Sequence, residues 1–264
     1  MSKHDALSTR LKGYEEVTRY KLYPRTFTVL RLDGVSFSNF TKYLEKPFDD
    51  GLIEDMNLTA IHLAENIMGC KAVFTQSDEI NIIVTDFDNL TTESWYGGII
   101  QKIASISASI ASAKFNQLRT LRNLQPNDED RNFIFDDDLL KLKLAYFDCR
   151  VFQIPFVEEA INIFQWRQQD ATRNSISSVA QSLYSHKQLE GKNSSELQEM
   201  IFAKGINWND LDEGKKRGRL IVKVQKEITT DKGTAIRNKW EVVETPIFST
   251  PEGKELLRNI ILPK

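Results

Sequence analysis

Thr26-Phe27-Thr28-Val29-Leu30-Arg31-Leu32-Asp33-Gly34 is a run of β-branched and apolar residues that stops at an Asp-Gly turn signal. It reads as a buried strand. After a loop, Asp49 or Asp50 is placed to cap a helix running to about Met68. Leu52, Met56, Ala60, Leu63 and Ile67 form its apolar stripe, and Gly69 suits its end. Ala72 to Thr75 and Ile80 to Val84 read as two strands joined by the short hairpin Gln76-Ser77-Asp78-Glu79. From about Ser94 to Leu121 the period turns helical, with Ile99, Ile103, Ile106 and Ile110 on one face and many Ser and Ala residues to allow close approach to a sheet. Gln125 to Asp138 is polar and acidic, as expected of a surface loop, and Ala145 to Ile154 supplies another strand. The order strand, helix, strand, strand, helix, strand is the βαββαβ pattern of an α+β, ferredoxin-like palm. That pattern sets two helices on one face of an antiparallel sheet and leaves the other free for ligands or packing.

The second half predicts helices at Glu158 to Gln169, Ser175 to Leu183 and Ser194 to Lys204. Two strands follow, Arg219 to Ile228 and Lys239 to Phe248, paired across the polar stretch between them, and then a closing helix from Pro251 to Ile261. No Pro/Gly/Ser-rich linker divides the chain. Residues 1–155 are therefore expected to form a palm-like catalytic domain, with 156–264 as a helical and β-hairpin extension packed on it.

Of the 264 residues, 41% are hydrophobic and 27% charged, enough for a sizeable core. A net charge of −2 argues against non-specific coating of DNA but not against a local basic patch for RNA. No apolar run is long enough for a bilayer, and Met1 to Arg10 lacks the apolar centre of a secretory signal, so a cytoplasmic location is expected. Cys70 and Cys149 are expected as reduced thiols. His4, His62 and His186 show no zinc spacing.

Asp33 closes the first strand and Asp78 sits in the central hairpin. In a palm topology those ends lie side by side, and two carboxylates there can bridge two magnesium ions roughly 3.5–4 Å apart for phosphoryl transfer. Magnesium keeps water and phosphate ligands, so few carboxylates are needed, and Gly34 allows close backbone approach. Yet Asp-Gly is a common turn and Ser-Asp-Glu a common surface hairpin. On these residues alone, polymerase, cyclase and non-catalytic binding domain all stay open.

Several stretches, in order, resemble the tRNA(His) guanylyltransferase family of 3′-to-5′ polymerases: Arg31-Leu32-Asp33-Gly34-Val35-Ser36-Phe37-Ser38-Asn39-Phe40, Lys46-Pro47-Phe48-Asp49, Gln76-Ser77-Asp78-Glu79, Phe147-Asp148-Cys149-Arg150-Val151, Trp166-Arg167-Gln168-Gln169-Asp170, Gly205-Ile206-Asn207-Trp208-Asn209 and Lys215-Lys216-Arg217-Gly218. The resemblance covers about Glu15 to Gly218. It implies a magnesium-dependent nucleotidyltransferase that activates a 5′-monophosphate RNA with ATP or GTP and then adds a nucleotide to that 5′ end. It implies Asp33 and Asp78 as metal ligands with the Gly34 carbonyl, and Glu79 as a supporting acid. It further implies a nucleotide wrapped by Asp33, Gly34, Val35, Ser36, Phe37 and Ser38, touched by the Ser77 hydroxyl and neutralised by Lys46 and Lys102.

Members that add guanylate to tRNA(His) commonly read Asp-Gly-Arg where this chain has Val35, and carry a His-Ile-Asn-Asn-Leu-Tyr-Asn-Thr motif where this chain has Thr172 to Val179, keeping Asn174. Ile99 stands where the triphosphate-binding helix has a further arginine. These departures resemble the guanylyltransferase-like branch, which repairs 5′-truncated tRNA by templated addition. The resemblance also implies a homotetramer. Lys215, Lys216, Arg217 and Arg219, with Lys223 and Lys226 nearby, form a basic run fitted to RNA phosphate, and Trp166, Trp208 and Trp240 are stacking candidates or core. The rivals are tRNA(His) guanylylation, a nucleotidyl cyclase and a non-catalytic tRNA-binding protein.

Overall fold

The apolar run becomes β1 (Phe27–Gly34), where Val29, Leu30 and Leu32 are almost wholly buried although they point to opposite faces. A strand covered on both sides reads as a continuous apolar run, which is why it was visible in the sequence. The computed structural model describes residues 3–123, 143–230 and 233–262. The acidic stretch expected as a loop, Gln125 to Asp138, lies outside them.

The hairpin strands are β2 (Cys70–Gln76) and β3 (Glu79–Val84), closed by Gln76 opposite Glu79. With β4 (Phe147–Ile154), β5 (Arg219–Thr230) and β6 (Gly233–Val243) they make a six-stranded sheet ordered β4-β1-β3-β2-β5-β6. Every neighbouring pair is antiparallel. The first four strands keep the order expected of the βαββαβ pattern, and the protein is α+β.

Helices α3 (Asp50–Asn66) and α4 (Ile100–Asn123) cover one face. The Asp49 side chain accepts from Leu52 N–H at 2.6 Å and starts α3. Gly69, at φ 79°, follows α3, and a Cβ there would lie 2.1 Å from the Thr85 carbonyl oxygen, so glycine is required. Met56, Ala60 and Leu63 of α3 meet Leu30, Leu32, Ile80 and Ile82 of the sheet. The buried line of α4 runs through Ile103, Ser107, Ala111 and Phe115, at i, i+4 spacing. Ile106 and Ile110, expected on that face, are half-buried flanks, because the small residues mark the line of closest approach.

The second sheet face is covered by packing. One continuous helix, α5 (Val157–Leu183), replaces the two expected pieces, and α9 (Pro251–Ile261) lies with it over Phe27, Val29, Ala72, Phe74 and Ile83. The C-terminal half of α5 packs on α7 (Ser194–Phe202) and Trp208. β6 starts and ends earlier than the expected strand Lys239 to Phe248: its polar outer half pairs along β5 as a ribbon, and the chain leaves the ladder at Val243, before Pro246. The short helices are α2 (Phe37–Phe40), α6 (His186–Leu189) and α8 (Glu213–Arg217). An N-terminal helix, α1 (Lys3–Glu16), was not legible. Residues 6–16 are all exposed, so no apolar stripe marks it.

Cys70 on β2 and Cys149 on β4 are free thiols with β3 and β1 between them, too far apart to bridge. Among the described residues, no helix is long and apolar enough to cross a membrane.

Candidate active site

Antiparallel pairing of β1 with β3 places Leu32 opposite Ile80, so the residues just beyond them, Asp33 and Asp78, come to the same end of the sheet. β4 adds Asp148 directly opposite Asp33. Gly34 is the point of contact: a Cβ on it would stand 2.8 Å from Asp78 Oδ2 and 2.3 Å from the Phe37 ring. Only a residue without a side chain lets the Asp78 carboxylate lie against this backbone.

The chain after Gly34 is held from below. Phe37 is buried in an aromatic cluster, its ring 5.0 Å from Phe40, 5.5 Å from Phe115 and 5.6 Å from Phe147. Val35 N–H donates to the Tyr146 carbonyl, and Ser36 turns in the left-handed region at φ 53°. Of the segment expected to wrap a nucleotide, Val35, Ser36 and Ser38 are exposed, whereas the Phe37 side chain belongs to the core and the Val35 amide is already bonded.

Electrostatics separate the carboxylates. The Asp33 pKa is raised to about 6, first by burial and then by Asp78, Glu79 and Asp148, with Arg167 opposing. No hydrogen bond or ion pair within the described residues engages its side chain. Burial also raises Asp78, which its own backbone N–H and the Ser77 hydroxyl partly stabilise as an anion. Glu79 is different. Arg167 of α5 clamps it with Nε on Oε1 and Nη2 on Oε2, both at 2.6 Å, and Asn81 donates to Oε1 at 2.7 Å. The same guanidinium reaches Asp170 at 2.8 Å and lies over Trp166, 4.6 Å from its ring centre. Glu79 is 6% exposed, with both oxygens committed, so its place is that of a strut beneath the pair.

No group of three or more His, Cys, Asp and Glu side chains gathers as metal ligands among the described residues. Two crowded carboxylates beside a glycine backbone, with raised pKa values and no ion pair on Asp33 among the described residues, nevertheless fit a hard divalent ion that takes its other ligands from water and phosphate.

Neither Lys46 nor Lys102 bonds to Asp33 or Asp78 among the described residues. Lys46 is exposed, its Nζ 3.2 Å from the Thr41 carbonyl, on the loop that leads to α3. Lys102 sits in the first turn of α4, whose neighbour Ile103 shares a cleft with Thr28, Leu30 and Val84 at the far end of β1. The helix then runs back, Ser112 Oγ accepting from Phe147 N–H ten residues later.

Arg167, Asp148 and Asn81 were missed as site residues. Arg167 lies 88 residues from its partner and its role depends on tertiary packing, while Asp148 was readable once β4 was paired in register with β1.

A profile of the family described as tRNA(His) guanylyltransferase, Thg1, matches residues 8–155. A bacterial Thg1-like protein solved in complex with ATP is 40% identical, covering 97% of this chain and 99% of its own, with a TM-score of 0.81. The corresponding structure in complex with GTP is 39% identical with a TM-score of 0.78, over the same shares of the two chains. The tRNA(His) guanylyltransferase of Saccharomyces cerevisiae is 26% identical over 217 residues, 76% of this chain and 84% of that protein. With more than half its length matched by the family profile, the chain belongs to the tRNA(His) guanylyltransferase family and is a guanylyltransferase-like nucleotidyltransferase.

Proposed function

We propose that this protein adds nucleotides in the 3′-to-5′ direction to the 5′ end of tRNA, as templated repair of 5′-truncated tRNA after activation of the end with ATP or GTP. The observation that carries the reading is the convergence of Asp33 and Asp78 on Gly34, two carboxylates with raised pKa values against one bare stretch of backbone. In this reading residues 1–155 hold the chemistry, and 156–264 brace it and meet RNA.

Asp33, Asp78 and the Gly34 carbonyl would hold magnesium, two ions in the full site. The metal supplies charge neutralisation of the phosphates and a lowered pKa for the attacking hydroxyl. The chain's own residues do the rest. Phe37 and Ser38 open α2, where N–H groups have no partner within the helix and can face phosphate. Ser77 offers a hydroxyl beside Asp78, and Lys46 a cation that can swing from the Thr41 carbonyl. Glu79 and Arg167 fix the hairpin so that Asp78 keeps its aim. Lys102, in the first turn of α4, is the second cation proposed for the triphosphate, and the working form is proposed to be a homotetramer. The nucleotide complexes of the bacterial relative support ATP and GTP as substrates.

The test is incubation with magnesium, ATP and labelled nucleotides on a 5′-monophosphorylated tRNA lacking its first nucleotide, with products resolved by length. Templated restoration of the missing nucleotide, lost in Asp78→Ala, is the expected result. Guanylate added to full-length tRNA(His) instead would assign the activity carried by the yeast relative. Silence on both substrates would leave a tRNA-binding protein.

A further inference from the structure

The loop after Gly34 and the second half of α4 enclose a cleft lined by none of the residues assigned to the reaction. α2 and the turn Thr41–Tyr43 supply one wall with Asn39, Phe40 and Lys42, and α4 supplies another with Asn116, Arg119 and Thr120. Its volume is about 600 Å³, within the range of about 300–1,000 Å³ that suits a small organic ligand. α4 packs on the sheet face that carries Leu30 and Leu32. Asp33, next along β1, alternates to the other face, where Arg167 of α5 opposes its crowding. Phe40 is the boundary between the two: it lines the cleft and sets its ring 5.0 Å from Phe37, which in turn abuts Gly34.

This lining collects cations. Arg119 is 9% exposed, with Nε 3.0 Å from Asp55 Oδ2 and its guanidinium 5.8 Å from the Phe115 ring centre. Its Nη2 is buried without a hydrogen-bond partner, and no described residue bonds Nη1. Asp55 is shared with Arg122, so it serves Arg119 on one edge alone. Lys42 is exposed and makes no ion pair among the described residues, its Nζ 5.6 Å from the centre of the Tyr43 ring. Lys143 joins them from the segment that leads to β4. Among the described residues the lining therefore holds three cations and no carboxylate. Asn116 is committed to the backbone of Ala145, which leaves Asn39 and Thr120 as neutral partners. Beside the charge stands an aromatic surface, for Tyr43 is 88% exposed and Phe40, Leu44 and Leu144 adjoin it. Three cations match more negative charge than one carboxylate brings, and an exposed ring matches a planar partner. A phosphate joined to a nucleobase supplies both.

We propose that this cleft binds one nucleotide unit on the side of the sheet away from Asp33 and Asp78, its phosphate on Arg119, Lys42 and Lys143 and its base against the Tyr43 ring. The unit is one residue of an RNA strand or a free nucleotide; the chemistry is the same for both. The site shares no residue with those proposed to hold the metals or the reacting triphosphate, so it stands or falls separately from that reading.

Equilibrium dialysis of labelled adenosine monophosphate in EDTA tests it without turnover. Wild type and Asp33→Ala are both expected to bind it. Lys42→Gln should weaken binding about tenfold, as for a lost charge-assisted hydrogen bond, and Tyr43→Ala about fivefold or more, as for a lost stacking surface. Arg119→Met should abolish it; if that variant does not fold, Lys42→Gln, Lys143→Gln and Tyr43→Ala carry the test. Displacement of the monophosphate by a three-residue oligoribonucleotide assigns the site to an RNA strand, and failure of the trimer to displace it assigns the site to a free nucleotide. No bound monophosphate, binding that Asp33→Ala removes, or binding that Lys42→Gln and Tyr43→Ala leave intact overturns the proposal.

Discussion

Asp33 and Glu79 are carboxylates at the same end of the sheet, set to opposite tasks by what surrounds them. Asp33 has no hydrogen-bond or ion-pair partner among the described residues and its pKa is raised to about 6. Folding therefore favours its protonated form, a stabilisation present at low pH and lost as pH rises from the ordinary carboxylate range through 6. Asp33→Asn should accordingly raise Tm over wild type at pH 8 in EDTA, with the gain shrinking as pH falls through about 6 and gone below about 4. A pH-independent difference would contradict the crowding described here. Asp33→Ala and Asp78→Ala should abolish nucleotide addition while circular dichroism stays native. Glu79→Ala should behave otherwise: it strands most of a guanidinium that is 7% exposed, with Asp170 as its remaining partner, and should cost about 3 kcal/mol, read from the urea midpoint. An undiminished midpoint would remove Glu79 from its role as strut. At this scale the two aspartates were legible because each terminates a strand at a turn. The distinction between the proposed metal carboxylate and a strut was not, since Asp78 and Glu79 are adjacent and only the position of Arg167 separates them.

At the scale of elements, α3 and α4 meet through charge as well as apolar packing. Asp55, 1% exposed, takes Arg119 Nε at 3.0 Å and Arg122 Nη2 at 2.9 Å from the neighbouring helix. Asp55→Ala would leave Arg119 buried and unpaired and should cost about 3 kcal/mol or more, measured by chemical denaturation. A loss under 1 kcal/mol would mean that packing alone joins the helices. The stripe of α3 was readable because Leu52, Met56, Ala60, Leu63 and Ile67 repeat at helical spacing. α5 was read as two pieces because Asp170, Thr172, Arg173 and Asn174 interrupt the apolar pattern, although they face solvent or cleft while the backbone runs on unbroken. The ribbon of β5 and β6 escaped its true bounds for the same reason: strand pairing needs no apolar face where both sides meet water.

For the whole molecule, the βαββαβ order could be read from the first half because each element buries a face against its sequence neighbours. How the second half joins it could not. α5 and α9 cover the sheet face that carries Phe27, Val29, Phe74 and Ile83, and β5 extends the sheet beyond β2. A fragment of residues 1–155 should therefore be insoluble, or bind a hydrophobic dye strongly, when expressed alone. A soluble fragment with native near-ultraviolet circular dichroism would show that the palm is self-sufficient.

The interior position of β1 also sets a clock. Its backbone is bonded to β3 on one side and β4 on the other, while β6 has a neighbour on one side only. Amide protons of Val29 to Leu32 should exchange with deuterium only when the whole chain opens, and those on the outer edge of β6 through brief local fraying. Asp33 thus sits at the end of an interior strand, so its backbone keeps its position while the ribbon at the other edge is free to adjust to whatever it meets.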